Sequence, residues 1–223
     1  MQRATKTDLL SLCGVPPRVR NAIREDDFSD MWSASLANQS VYLWGPTGSG
    51  KTITAVRLMI ASMIKSGVEF PTDSRSISDL FAGPLPDFAK QFKFVSLPHM
   101  LESLRRQFRP RAIRRVITLD SDEEEDISLS EQIQMAHYVI LDDLGVESMS
   151  DWAYGVLYRI VDYRYNWLLP TVFTSSCSLH DLAAKWPDDR LLFRIYEMCK
   201  QNIIHLRGVS VLSRLRGEES DSD

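Results

Sequence analysis

The stretch Gly45-Pro46-Thr47-Gly48-Ser49-Gly50-Lys51-Thr52 holds the residue types a phosphate cradle needs, at the spacing G-x-x-x-x-G-K-[ST]. Its glycines let the backbone turn several N–H groups toward phosphate oxygens. A helix beginning near Lys51 adds the positive end of its dipole. Lys51 reaches the outer phosphates, and the Thr52 hydroxyl can ligate Mg²⁺. The surroundings agree, because the apolar run VYLW (41–44) precedes the loop and KTITAVRLMIASMIKSG follows it. Residues 45–52 are therefore the expected ATP-binding set, with Mg²⁺ as the accompanying ion.

Such a site needs an acid near the metal. The run YVILDDLG supplies Asp142 and Asp143 at the end of a buried strand. Asp142 is the expected metal-side carboxylate, together with Thr52, and Asp143 the expected group that orients and polarises an attacking water. Neighbours on a strand point to opposite sides, so the two need not share a role. The run TVFTSSCS ends in polar residues, where ligands of parallel sheets sit. Thr174, Ser175 and Ser176 are candidates to hold that water against the γ-phosphate. In DDRLLFRIYEMC, Arg190 and Arg194 are four apart and share one helix face. A guanidinium anchored there can reach the nucleotide of a neighbouring subunit and stabilise transition-state charge. Pairing with Asp188 or Glu197 is the competing reading.

The elements that must position these residues are legible. Five β-like runs occur at 41–44, 92–96, 138–142, 171–175 and 202–206. Helical patterns separate them: 51–67, PHMLESLRRQF, the stretch SDWAYGVLYRIVDYRYNWL with Ser150 or Asp151 as N-cap, LHDLAAKW, and PDDRLLFRIYEMC. Strands alternating with helices imply a parallel sheet covered on both faces. Residues 69–90, with three prolines, read as an irregular excursion. Residues 109–130 combine a basic block with an acidic run and read as a solvated loop.

Length and composition fit one domain with a substantial core: 223 residues, 44% hydrophobic and 25% charged. The net charge of -4 conceals an uneven distribution. DSDEEED (120–126) and EESDSD (218–223) carry ten acidic residues, and without them 20 acidic residues face 26 basic ones. A basic body with detachable acidic segments is compatible with a nucleic-acid partner. Three scattered cysteines, with no Cys-x-x-Cys and no zinc-like histidine spacing, argue against a disulfide framework or metal-thiolate site and for a reducing cytoplasm. No apolar run reaches membrane-spanning length, and the N-terminus lacks the apolar core of a signal peptide.

As a set, these motifs resemble the AAA+ ATPases of the DnaC/IstB group, the bacterial helicase loaders and transposition helpers. The likeness runs through CGVPPRVRNAIREDDF, YLWGPTGSGKT, FVSLPHMLESLR, the block from VILDDLG to TVFTSS, and DDRLLFRI, about residues 11–208. It implies an ASCE-class P-loop NTPase with a five-stranded parallel sheet in the order 5-1-4-3-2. It implies a short helical lead-in (1–37), an ATPase domain (38–217) with an acidic insertion near 118–130, and an acidic tail (218–223). It favours Arg194 as the trans-acting finger, with Arg190 second. It puts Ser176 at a sensor position where asparagine is usual, which implies slow hydrolysis, and makes Arg214 the candidate second sensor. It implies ATP-dependent self-assembly, single-stranded or duplex DNA as a partner near Ser150 and Trp152, and a replicative helicase or transposase as the protein acted on. The acidic run would compete with DNA for the arginines before it. The usual partner-binding region is longer than the 44 residues preceding Gly45 here. A nucleotide-gated binding module with negligible turnover is the rival from another class. A small-molecule P-loop kinase would want an arginine-bearing lid and an acceptor pocket, and neither is clear in the chain.

Overall fold

The computed structural model describes residues 9–24, 26–27, 31–68, 87–107, 129–145 and 150–208. Arg214 and both acidic runs lie outside the described residues.

Five strands form the sheet: β1 (Val41–Trp44), β2 (Phe92–Ser96), β3 (Tyr138–Leu144), β4 (Thr171–Ser175) and β5 (Ile203–His205). Their order is β2-β3-β4-β1-β5, which read from the other edge is the expected 5-1-4-3-2, and every pairing is parallel. Parallel strands need crossovers, and helices supply them here. Nine helices are described: α1 (Pro17–Arg20), α2 (Met31–Ser35), α3 (Lys51–Lys65), α4 (Asp87–Gln91), α5 (Leu97–Gln107), α6 (Leu129–Met135), α7 (Asp151–Asn166), α8 (Leu179–Ala183) and α9 (Arg190–Cys199).

The inner strands β1, β3 and β4 are buried on both faces because both faces are covered. Val41 and Leu43 pack with α3 residues such as Val56, Met59 and Ile60. Tyr42 faces the other way, into a cluster with Leu157, Ile160 and Val161 of α7 and Leu191 and Ile195 of α9. Fully burying each such side chain contributes about 1.5–3 kcal/mol. Helix α3 ends where the sequence signals it, with Gly67 left-handed at φ 74°. Helix α7 starts at the expected cap, since the Ser150 Oγ accepts from the Ala153 N–H at 3.3 Å.

Two local expectations are corrected. Residues 87–90, expected to be irregular, belong to the short helix α4, and 129–130, expected to be loop, open α6, whose Ile133 is buried. Arg164, fully buried on α7, ties α6 down. Its guanidinium donates to the carbonyls of Ile133, Gln134 and Ala136 at the end of α6, and to Pro170 O and Thr171 Oγ1 at the entry of β4. Carbonyls at a helix C-terminus attract a cation. With no carboxylate among these partners, burial pushes the Arg164 pKa down to about 9.

Candidate functional site

The carboxyl ends of β1, β3 and β4 meet at the glycine-rich loop. Gly45, Gly48 and Gly50 have φ of 149°, 86° and 89°, a region that disfavours side chains. Gly45 is also constrained by space, since a Cβ there would lie 2.3 Å from the Leu206 carbonyl oxygen. The loop's amide at Gly45 donates to Ser175 O of β4, so the cradle is hung from the central sheet. Pro46 and Thr47 form the outer turn, and the Ser49 N–H closes it by donating to Pro46 O. The Ser49 Oγ is buried and finds no hydrogen-bond partner among the described residues.

Lys51 is buried, and its Nζ donates to Gly45 O at 2.9 Å and Pro46 O at 2.8 Å. Burial lowers its pKa, partly offset by Asp143 and Asp142. The Thr52 Oγ1 donates to Asp142 Oδ1 at 2.9 Å across ninety positions of sequence. Thr174 Oγ1 donates to the same oxygen at 2.7 Å. Asp142 is 6% exposed, and burial raises its pKa against the pull of those hydroxyls and Lys51. Among the described residues no cluster of three or more His, Cys, Asp or Glu is available to a metal. One carboxylate beside one threonine hydroxyl suits Mg²⁺, which takes few protein ligands and completes its shell with water and phosphate. The positive-φ glycines, the orphaned Ser49 hydroxyl, the buried lysine and this oxygen pair together fit a magnesium nucleotide.

Asp143 is placed by a feature that alternation does not reveal. The β3–β4 register shifts between Leu141 and Leu144, so β3 bulges there. Asp143 takes a left-handed φ of 64°, a conformation aspartate tolerates better than most residues. Its N–H donates to Thr174 Oγ1 at 3.0 Å and its side chain is exposed. Thr174 thus binds both acidic residues at once. Of the three hydroxyls expected to serve the site, only Thr174 bonds the acidic pair. Ser175 Oγ donates to Leu144 O and accepts from the Cys177 N–H. Ser176 is exposed, and its Oγ lies 3.9 Å from Cys177 Sγ.

Two residues outside the motif shape the cradle. The backbone after β5 crosses the phosphate loop at Leu206 and Gly208, and a Cβ on Gly208 would sit 2.6 Å from Ser49 Cα. The Leu206 N–H donates to Trp44 O, and Trp44 stacks on His205 with ring centroids 3.9 Å apart. The only sequence signal for Gly208 is its type, directly after the last strand.

The two arginines lie on α9 against α7, each beside a carboxylate of its own chain. Arg190 Nε and Nη2 both donate to Asp188 Oδ2, at 3.1 and 2.7 Å. Asp188 also accepts from the Tyr154 hydroxyl, and the Arg190 guanidinium lies 5.5 Å from the Tyr158 ring. Arg194 pairs instead with Asp162, Nε to Oδ1 at 2.8 Å, and stands 4.7 Å over Tyr165. The expected partner Glu197 binds Lys200. At the start of α7, Ser150 is engaged as the helix cap and by Arg105 Nη2 at 3.3 Å, and Arg105 lies 5.3 Å over the Trp152 ring. Trp152 is half-buried against the core cluster.

No family model and no curated protein matches the chain. Solved structures do. A putative primosome component from Streptococcus pyogenes aligns over 93% of this chain and 99% of its own, at 21% identity and TM-score 0.56. DnaI aligns over 93% of each chain, at 20% identity and TM-score 0.52. Domain III of the Thermotoga maritima replication initiation protein DnaA aligns over 100% of this chain and 79% of its own, at 12% identity and TM-score 0.51. At these identities the likeness is one of fold: a five-stranded parallel α/β sheet in the order the motifs lead one to expect. No helix among the described residues is long and apolar enough to cross a membrane.

Proposed function

We propose that this chain binds and hydrolyses Mg-ATP, self-assembles through that nucleotide on DNA, and loads or remodels a partner, foremost a replicative helicase. The observation that carries the proposal is the convergence of Thr52 and Thr174 on one oxygen of Asp142, directly beside the buried Lys51. In it, the glycine-rich loop and Lys51 hold the triphosphate. Thr52 and Asp142 would hold Mg²⁺, which would offset the negative charge of the phosphates. Asp143 orients and polarises the attacking water. Arg194 of a neighbouring subunit completes the site. The replication role draws support from the names of the similar structures, a primosome component and a replication initiator.

The test uses the full chain carrying Asp143→Asn, to hold the ATP-bound form. Sedimentation with Mg-ATP and single-stranded DNA is expected to give a nucleotide-dependent oligomer that retains the replicative helicase of the same cell. A particle that stays a single protomer under saturating Mg-ATP and DNA contradicts the proposal. An oligomer that retains a transposase instead moves the function to the transposition helpers. The placement of Ser176, exposed and facing Cys177, favours a second reading in which nucleotide gates binding with negligible turnover. Steady-state phosphate release, with Asp143→Asn as the blank, separates the two.

A further inference from the structure

The two arginines of α9 are engaged differently, and the difference bears on which of them can meet a phosphate. A guanidinium recognises an oxyanion best along an edge that offers two parallel N–H donors. In Arg190, Nε and Nη2 close on Asp188 as a fork, and the backbone N–H of Arg190 also donates to Asp188 Oδ1. Asp188 is in turn held by Tyr154, whose hydroxyl accepts from the Leu191 N–H. Arg190 thus belongs to the knot that starts α9 on α7.

Arg194 is bonded at Nε alone. Among the described residues nothing accepts from its Nη1 or Nη2. Asp162 is itself fixed, because its other oxygen accepts from Asn166 Nδ2 at 3.1 Å. Tyr165 lies under the guanidinium face and Phe193 stands 5.8 Å away. The side chain is clamped at one edge and one face, yet 29% exposed. Its unengaged edge is the pair of terminal nitrogens.

We infer that Asp162 is a positioning residue for Arg194: it holds Nε, with Tyr165 as a shelf, so that Nη1 and Nη2 are presented together to the γ-phosphate on a neighbouring subunit. This rests on the proposed trans-completed site and adds to it the residue that aims the guanidinium. It also assigns the finger to Arg194 and a structural role to Arg190. A long side chain held in advance loses less freedom on meeting its ligand than one waving in solvent.

The experiment compares Asp162→Asn, Asp162→Glu, Tyr165→Phe and Arg194→Ala in the full chain. The readouts are ATP turnover at saturating protein and the ATP-dependent association constant. Loss of aim is expected to lower turnover of Asp162→Asn about tenfold, within the range that misplacement of a reacting group costs. Nucleotide affinity of the separate protomer is expected to stay unchanged, which a general loss of structure would not permit. Tyr165→Phe keeps the ring under the guanidinium and should lose less turnover than Asp162→Asn. Asp162→Glu keeps the charge and should retain most of the turnover, and it supplies the comparison if the amide variant melts early. In an Arg194→Ala background, Asp162→Asn should add no further loss of association. Parent-like turnover by Asp162→Asn, or an undiminished effect in that background, overturns the inference while leaving the finger intact. Parent-like turnover by Arg194→Ala removes the underlying reading itself.

Discussion

The phosphate loop and the arginine face of α9 are built on opposite plans. Around the loop, polar groups are buried and bonded to one another: Lys51 to Gly45 and Pro46, Thr52 and Thr174 to Asp142, Asp143 N–H to Thr174. On α9 the charges sit at the surface, each steadied by one carboxylate of α7 or of the loop before α9. The first arrangement is complete within one chain. The second offers a guanidinium edge that nothing described in its own chain uses. On the proposed function, gripping a nucleotide and finishing its chemistry are separable properties, located about two different helices.

The largest expected effect breaks the second half alone. Arg194→Ala should lower ATP turnover of the assembled protein about 10³-fold, the scale of a finger's contribution, with nucleotide affinity of the protomer kept. Arg190→Ala should instead lower thermal stability, and rapid phosphate-release and melting assays on both variants check the division. Next comes the first half. Lys51→Ala removes a charged donor from the loop and should weaken ATP binding about 10–100-fold, read by titration with a fluorescent nucleotide. A smaller effect is expected from Gly208→Ala, whose new methyl must push Ser49 back from 2.6 Å. Overpacking on this scale costs about 1–3 kcal/mol, so ATP affinity should fall about tenfold by the same titration, although residue 208 is outside the motif.

The smallest effect is one of stability and has a sign that tests burial directly. Because burial raises the Asp142 pKa, the folded chain prefers the protonated form. Its carboxylate therefore costs stability at neutral pH, and the cost disappears in acid, where folded and unfolded chains are both protonated. Asp142→Asn should then melt about 2–4 °C higher than the parent at neutral pH without nucleotide. The gain should shrink as pH falls into the ordinary carboxylate range, and Mg-ATP should no longer stabilise the variant. Differential scanning calorimetry across pH reads both.

The fold was legible in the sequence because its strands are short apolar runs bounded by helical periodicity, and each of the five runs became a strand within two residues of its expected ends. The loop was legible because local backbone demands fix its glycines in sequence. What could not be read were contacts between distant segments. Thr174 was one of three candidate hydroxyls, and the resemblance favoured Ser176 over it; the β3 bulge is what brings the Thr174 hydroxyl to both Asp142 and Asp143. Nothing in the sequence singles out Asp162 and Tyr165, since only the packing of α9 on α7 brings them to Arg194. Gly208 carried no φ requirement to betray it; its constraint is the approach of another chain segment.

The central claim is that a nucleotide held by one protomer is finished by the next. Mixing the Lys51→Ala and Arg194→Ala variants tests it most directly. Each alone should be nearly inert in phosphate release. In the mixture, an intact loop from the Arg194→Ala chain can meet an intact guanidinium from the Lys51→Ala chain, and turnover should return. A mixture that co-assembles yet stays as inert as its components would contradict the account.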